Sequence, residues 1–263
     1  MRMPTTLRIL CLHGFTSNGT IHAHQARKIT ALFSNPSSSN SNGNSTTTPK
    51  YEFLFPDGPH IVADTDIKDT TWHNYVSTNS TQGHRAWWFA RDSNFTNPNS
   101  FVNPETGGYY GLEESIQYLG ELIAEKGPVH AIWGFSQGAC IAGMLVAMAS
   151  DPDQGRDPLG LRKLLSVGEK DVLGTVKAGV FFGGFKARFE QYAPLYDGGV
   201  KLPTLHVMGE NDVLVTPERS EKLVSLCDGA EVLRHQNGHN LPREAAEVER
   251  IAEFLRKNVK EAD

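Results

Sequence analysis

The stretch V-H-A-I-W-G-F-S-Q-G-A, residues 129–139, decides how this chain reads. A short apolar run leads into Gly134-Phe135-Ser136-Gln137-Gly138, and small and apolar residues at helical spacing, A-C-I-A-G-M-L-V-A-M-A, follow without a break. The pattern predicts a strand, a sharp turn and a buried helix. Ser136 stands at the apex, where the backbone is strained, and glycines two residues before and after let strand and helix pass closely. The same turn places Ser136 at a helix N-terminus, whose free N–H groups favour developing negative charge. G-x-S-x-G is short enough to arise by chance, so its surroundings carry the decision.

Working outward, residues 7–12 (L-R-I-L-C-L) form a buried-strand candidate that ends at His13-Gly14-Phe15-Thr16-Ser17-Asn18-Gly19, and a helical pattern covers residues 21–33. Residues 34–50 are a polar Ser/Asn/Thr-rich insertion with almost nothing apolar to pack, and are expected to be disordered. A second strand, residues 51–55, stops at Pro56-Asp57-Gly58-Pro59. Residues 60–110 have weak periodicity and many aromatics, among them Trp72, Trp87, Trp88 and Tyr109. They suit a long segment plugged into the core, a lid or pocket wall for an apolar substrate, or both. A helix over 111–126 then delivers the chain to the elbow strand. Further strands are predicted at 176–182, 203–209 and 231–235, with helices near 159–166, 217–227 and 242–259. Strands alternating with helices imply one α/β domain built on a mostly parallel sheet with helices on both faces.

Composition narrows the function classes. The 263 residues are 39% hydrophobic and 21% charged, with a formal net charge of −5. That balance gives no basic field for a phosphate backbone, so nucleic-acid binding is not expected. No run approaches a membrane span, and the N-terminal apolar run is too short, and broken by Arg8, to serve as a signal-peptide core. Cys11, Cys140 and Cys227, an odd number at unpatterned spacing, read as buried free thiols in a reducing, cytoplasmic setting.

A parallel sheet gathers its functional groups at the carboxyl ends of its strands. Four loops there hold His13-Gly14-Phe15, Ser136, Asp212 and His239, and the last three occur in the order Ser, Asp, His. That is the triad order of α/β-hydrolases. Ser136 is the expected nucleophile, His239 the base that takes its proton, and Asp212, in competition with Glu210 and Asn211, the group that fixes the imidazole tautomer. The backbone N–H groups of Phe15 and Gln137 are assigned to the oxyanion hole. His13 is read as a structural support for that loop, and Asp57 and His60 as serving the turn after the second strand. His22 and His24 lack a third ligand in the sequence nearby, so no metal is expected there.

Together the blocks L-C-L-H-G-F-T-S-N-G, F-P-D-G-P-H, A-W-W, G-F-S-Q-G-A, P-T-L-H-V-M-G-E-N-D and G-H-N-L-P resemble the fungal serine hydrolase family, relatives of the human ovarian-cancer-associated serine hydrolases. The resemblance runs from about residue 7 to 255. It implies an α/β-hydrolase fold, no cofactor, and esterase or thioesterase activity through Ser136, Asp212 and His239. It also implies a pocket role for Trp87 and Trp88, which match the family's paired tryptophans, with Tyr109 nearby in the same segment. Some members release acyl chains from polyketide synthase carrier proteins, which makes a small-molecule or carrier-bound acyl group in secondary metabolism the expected substrate. Two departures stand out: Gln236-Asn237-Gly238-His239 replaces the family's Pro-Gly-Gly-His, and the polar insertion is unusual. The alternatives are an acyltransferase or cyclising enzyme using the same acyl-enzyme, and a binding protein on a hydrolase scaffold.

Overall fold

The computed structural model describes residues 5–34, 49–91, 108–151, 157, 159–166 and 171–260. The chain in order forms β1 (Thr6–Leu12), α1 (Gly19–Ala31), β2 (Lys50–Leu54), β3 (His60–Ile61), α2 (Thr70–Asn79), β4 (Arg85–Ala86), β5 (Phe89–Arg91), β6 (Gly108–Tyr110) and α3 (Leu112–Lys126). It continues through β7 (Ala131–Phe135), α4 (Gln137–Ala149), α5 (Leu161–Leu165), β8 (Ala178–Phe182), β9 (Thr204–Gly209), α6 (Pro217–Val224), β10 (Glu231–His235) and α7 (Ala245–Asn258). Six strands make one sheet in the order β10-β9-β8-β7-β1-β2. Every pairing in it is parallel.

Alternation along the strands divides the core between the two faces. Leu7, Ile9, Cys11, Trp133, Val180 and Phe182 point to the face covered by α1 and α7, where Ile29, Ile251 and Phe254 meet them. Leu10, Leu12, Ile132 and Phe181 point to the other face, against α3 and α4. This is the period-2 rule of a strand applied to a sheet buried on both sides. α4 runs through the second core and is buried from Gln137 to Met148, which explains why its sequence is small and apolar all round. By contrast α7 is one-sided: Val248, Ile251, Ala252, Phe254 and Leu255 are buried, and a reciprocal Glu244–Glu247 capping box starts it.

Three buried histidines whose pKa values burial lowers strongly, His13, His22 and His206, make this core sensitive to acid. Gly58 N–H donates to Nε2 of His13, and the Trp133 indole N–H donates to Nε2 of His22, so both rings are held neutral. Burial lowers His13 to about 4, His22 to about 3 and His206 to about 4. In the unfolded chain all three take up protons near 6.5, so the unfolded state binds more protons below that pH and folding stability falls with it. The loss begins near pH 6.5, continues down to about pH 4, and is absent above neutrality. Each histidine contributes on the order of 1 kcal/mol per pH unit in that window. Thermal melts are expected to lose roughly 10 °C between pH 7 and pH 5. A melting temperature flat over that range would show that these rings are not held neutral.

The segment over residues 60–110 is more regular than its sequence suggests. The described part holds α2 and the antiparallel pairs β3–β4 and β5–β6. Only Val76 of α2 is buried, so the helix carries almost no apolar stripe to read. Residues 35–48, most of the expected disordered insertion, and residues 92–107 lie outside the described residues.

Candidate active site

The sheet order reverses between β1 and β7. The chain steps from β1 outward to β2 and returns to place β7 on the other side of β1. Loops leaving the carboxyl ends of two such strands diverge and leave a crevice between them. Here those loops carry Phe15 and Ser136.

Ser136 has φ 53° and ψ −115°. The only other non-glycine residue with positive φ among the described residues is Thr16, at 60°. Both lie at this crevice, so the strained backbone of the molecule is concentrated there. The flanking glycines follow from close approach: a Cβ on Gly134 would fall 2.2 Å from the carbonyl oxygen of Gly138, and one on Gly138 would fall 2.2 Å from that of Leu12. The turn is anchored by Ser136 N–H, which donates to Phe182 O at 2.8 Å. The loop after β1 lies alongside, since a Cβ on Gly14 would sit 3.4 Å from that of Ser136. Among the described residues, the two backbone donors at the crevice, Phe15 N–H and Gln137 N–H, are not taken up by a protein acceptor.

Asp212 follows β9 and His239 follows β10, and their side chains meet with His239 Nδ1 and Asp212 Oδ2 2.6 Å apart. The other carboxylate oxygen, Oδ1, accepts from the N–H groups of Leu214 and Val215, each at 2.9 Å. Burial raises the Asp212 carboxyl, but the His239 hydrogen bond and charge and the two N–H donors outweigh it and hold the group below its usual range. A carboxylate so held accepts the Nδ1 hydrogen of His239, which leaves Nε2 as the basic nitrogen. Glu210, the rival acid, instead pairs with Arg234 on the surface. The rival Asn211 donates its side-chain N–H to Gln236 O. The His239 ring packs on Phe135, centroids 4.7 Å apart, one residue before Ser136.

Gly183 was not singled out from the sequence, and it completes this geometry. It has φ 51°, directly follows the Phe182 that anchors the elbow, and a Cβ there would come within 3.1 Å of His239 Cε1. The double glycine ending β8 was the signal, but only the sheet order says that it underlies the imidazole. The Gln137 side chain was missed as well. Its Oε1 accepts from Trp87 N–H and its Nε2 donates to Trp88 O, both at 2.8 Å, so the elbow clamps the paired tryptophans. Gln137→Ala leaves two buried backbone groups without partners and is expected to destabilise the fold by about 2–4 kcal/mol. Urea unfolding measures this directly, and a loss below ~1 kcal/mol would show that the clamp is dispensable.

The predicted pocket residues are packed tightly. Trp87 is wholly buried and donates its indole N–H to His13 O; Trp88 lies against Tyr109, which stacks on Tyr192. His13 joins the loop to the Pro56–Pro59 turn through Gly58, Asp57 accepts from Gly19 N–H, and His60 contacts Gly111 O. His13 thus supports the loop after β1 as expected, whereas Asp57 and His60, expected to serve the turn after β2, instead tie that segment to the starts of α1 and α3. His22 is buried while His24 is exposed, so that pair faces two ways and does not chelate.

The profile described as "Serine hydrolase (FSH1)" matches residues 1–251. The chain is similar to esterase C25G4.2 of Caenorhabditis elegans, 30% identical over 96% of this chain and 94% of that one. It is also similar to esterase OVCA2 of Danio rerio, 28% identical over 95% and 97%. Of solved structures, Zea mays acyl-protein thioesterase 2 superposes with a TM-score of 0.57 over 98% of this chain and 96% of that one, at 15% identity. At that identity the likeness is one of fold, and the fold is of the α/β-hydrolase type.

Proposed function

Because the chain belongs to the serine hydrolase (FSH1) family, we propose that it hydrolyses a carboxylic ester or thioester through an acyl-enzyme on Ser136. The observation that carries this reading is the Asp212–His239 pair, its acid buried and its half-buried imidazole packed on the residue before a strained serine at the reversal point of the sheet. His239 Nε2 takes the Ser136 proton as Oγ attacks the acyl carbon. The oxyanion that forms is met by the N–H groups of Phe15 and Gln137, each worth about 3 kcal/mol in such sites. His239 then protonates the departing alcohol or thiol, and a water molecule, deprotonated by the same nitrogen, releases the acid. Asp212 stays ionised throughout and stabilises the imidazolium.

The finer reading is an acyl thioester delivered on a carrier protein in cytoplasmic secondary metabolism, such as polyketide release. Its support is the set of sequence blocks shared with the fungal family, together with exposed Val213 and Leu214 directly after Asp212, an apolar rim suited to an acyl chain. No helix among the described residues is long and apolar enough to cross a membrane. A fluorophosphonate probe is expected to add one covalent group at Ser136, lost in Ser136→Ala, and paired oxygen-ester and N-acetylcysteamine thioester substrates rank the leaving group. Wild-type protein that neither labels nor turns over any of them sinks the proposal. Product analysis with added alcohol or amine separates hydrolysis from acyl transfer.

A further inference from the structure

Beside the loop that carries Phe15 lies a second cluster that this mechanism does not use. Asp64, His73 on α2 and His84 just before β4 each bring one ligand-type atom into a group in which all lie within 4.8 Å of one another. His84 is only 2% exposed. Its Nδ1 lies 2.7 Å from Thr16 O, which can only accept, so Nδ1 carries the hydrogen and Nε2 presents a lone pair. That Nε2 is buried and has no hydrogen-bond partner among the described residues, and the same holds for Nε2 of His73. His73 Nε2 is 3.4 Å from Asp64 Oδ1.

Two inward-facing imidazole nitrogens without hydrogen-bond partners, one of them in ion-pair range of the carboxylate, make with it a donor set for a borderline-soft divalent ion. A backbone carbonyl accepting from the far nitrogen of a histidine is the arrangement that fixes the ligating tautomer. Calcium and magnesium prefer more oxygen donors than one carboxylate supplies. We propose that Asp64, His73 and His84 bind a zinc-class divalent ion that braces α2 against the Phe15–Thr16 loop. The expectation of no metal rested on sequence neighbours of His22 and His24, and these three residues come together only through the fold.

The two rings now lie nearly parallel, 5.1 Å apart at 17°. An ion cannot lie in both planes of such a stack, so binding turns one ring. His73 is the one free to turn, because His84 is tied to Thr16 and His73 is the more exposed. Zinc distances of about 2.0–2.2 Å then draw the donors from their present spread to roughly 3.3 Å apart. The mechanical link to the loop is already built. Thr16 O accepts from both His84 Nδ1–H and the Trp72 indole N–H, and Trp72 precedes His73 on α2. Drawing His73 toward His84 therefore tightens both anchors of Thr16, the residue after Phe15. This regulatory consequence rests on Phe15 serving the oxyanion hole; the binding itself does not.

The test uses the full chain after removal of metal with a chelator. Zinc titration calorimetry and cobalt substitution, read as a visible absorption band, are run on wild type, His73→Gln, Asp64→Asn and, as control, His24→Gln, an exposed histidine elsewhere. Expected are one ion per chain, a higher melting temperature with zinc, and affinity weakened at least about tenfold in His73→Gln and Asp64→Asn but not in His24→Gln. Ser136→Ala is expected to bind zinc as wild type does, so the site is scored even if no ester is hydrolysed. Absence of stoichiometric binding, or affinity unchanged in both cluster variants, overturns the site. Where hydrolysis is measured, zinc is expected to change the wild-type rate and leave His73→Gln unaffected. Zinc inhibition that persists in His73→Gln arises at His239 and overturns the coupling to the loop.

Discussion

Asp212→Asn is expected to lower kcat by about ten-thousand-fold, roughly 5 kcal/mol of transition-state stabilisation, with the fold intact. The reason lies in how the carboxylate is held. Oδ1 is pinned by two backbone donors, Leu214 N–H and Val215 N–H, and Oδ2 faces His239 Nδ1. In asparagine the carbonyl oxygen must stay with the two N–H groups, because an NH2 there would oppose two donors. The amide NH2 then faces Nδ1 and donates to it, which moves the imidazole hydrogen to Nε2. An imidazole with hydrogen on Nε2 cannot take a proton from Ser136. Single-turnover acylation of the variant checks this, and it should recover partly as pH rises, when hydroxide substitutes for the missing base. A variant retaining a tenth of wild-type activity would remove Asp212 from its assigned role.

Gly138→Ala is expected to destabilise the protein by more than about 4 kcal/mol and to yield little soluble enzyme. Within a helix, alanine normally gains up to ~1 kcal/mol over glycine. Here the new methyl carbon would stand 2.2 Å from Leu12 O and 2.5 Å from His13 O, both backbone atoms of the strand end, which cannot swing aside. β1 and α4 must separate, and the loop carrying Phe15 moves with β1. Gly143→Ala, in the same helix, is the internal control: its Cβ would meet nothing nearer than Leu223 Cδ2 at 3.5 Å. That variant is expected to melt at or slightly above the wild-type temperature. Equal melting temperatures for the two variants would show that the close crossing of strand and helix is not what requires glycine.

Much of the fold was legible because its elements declare themselves locally. The strands at β1, β7, β8 and β9 are short apolar runs ending in glycine or in a polar loop, and α3 and α7 carry apolar stripes at helical spacing. α2 and the two small antiparallel pairs were not legible. Their residues are half exposed and fix their shape through contacts distant in sequence, such as the Trp72 indole N–H on Thr16 and the Gln137 side chain on Trp87 and Trp88. The aromatic segment likewise read as pocket wall or core plug without distinction, and in the structure Trp87 is core and a brace for the His13 carbonyl.

The alternation of strand and helix, the sharp turn at Ser136, and the chain order of serine, acid and histidine are written in the residues themselves. These depend on backbone sterics and on periodicity, which act over a few residues. Which acid faces His239, what Gly183 and Gln137 do, and that Asp64, His73 and His84 converge all depend on the folded arrangement of the chain. Each of those is a meeting of side chains from strands or loops set side by side by the sheet order, and a linear spacing holds no record of which loops become neighbours.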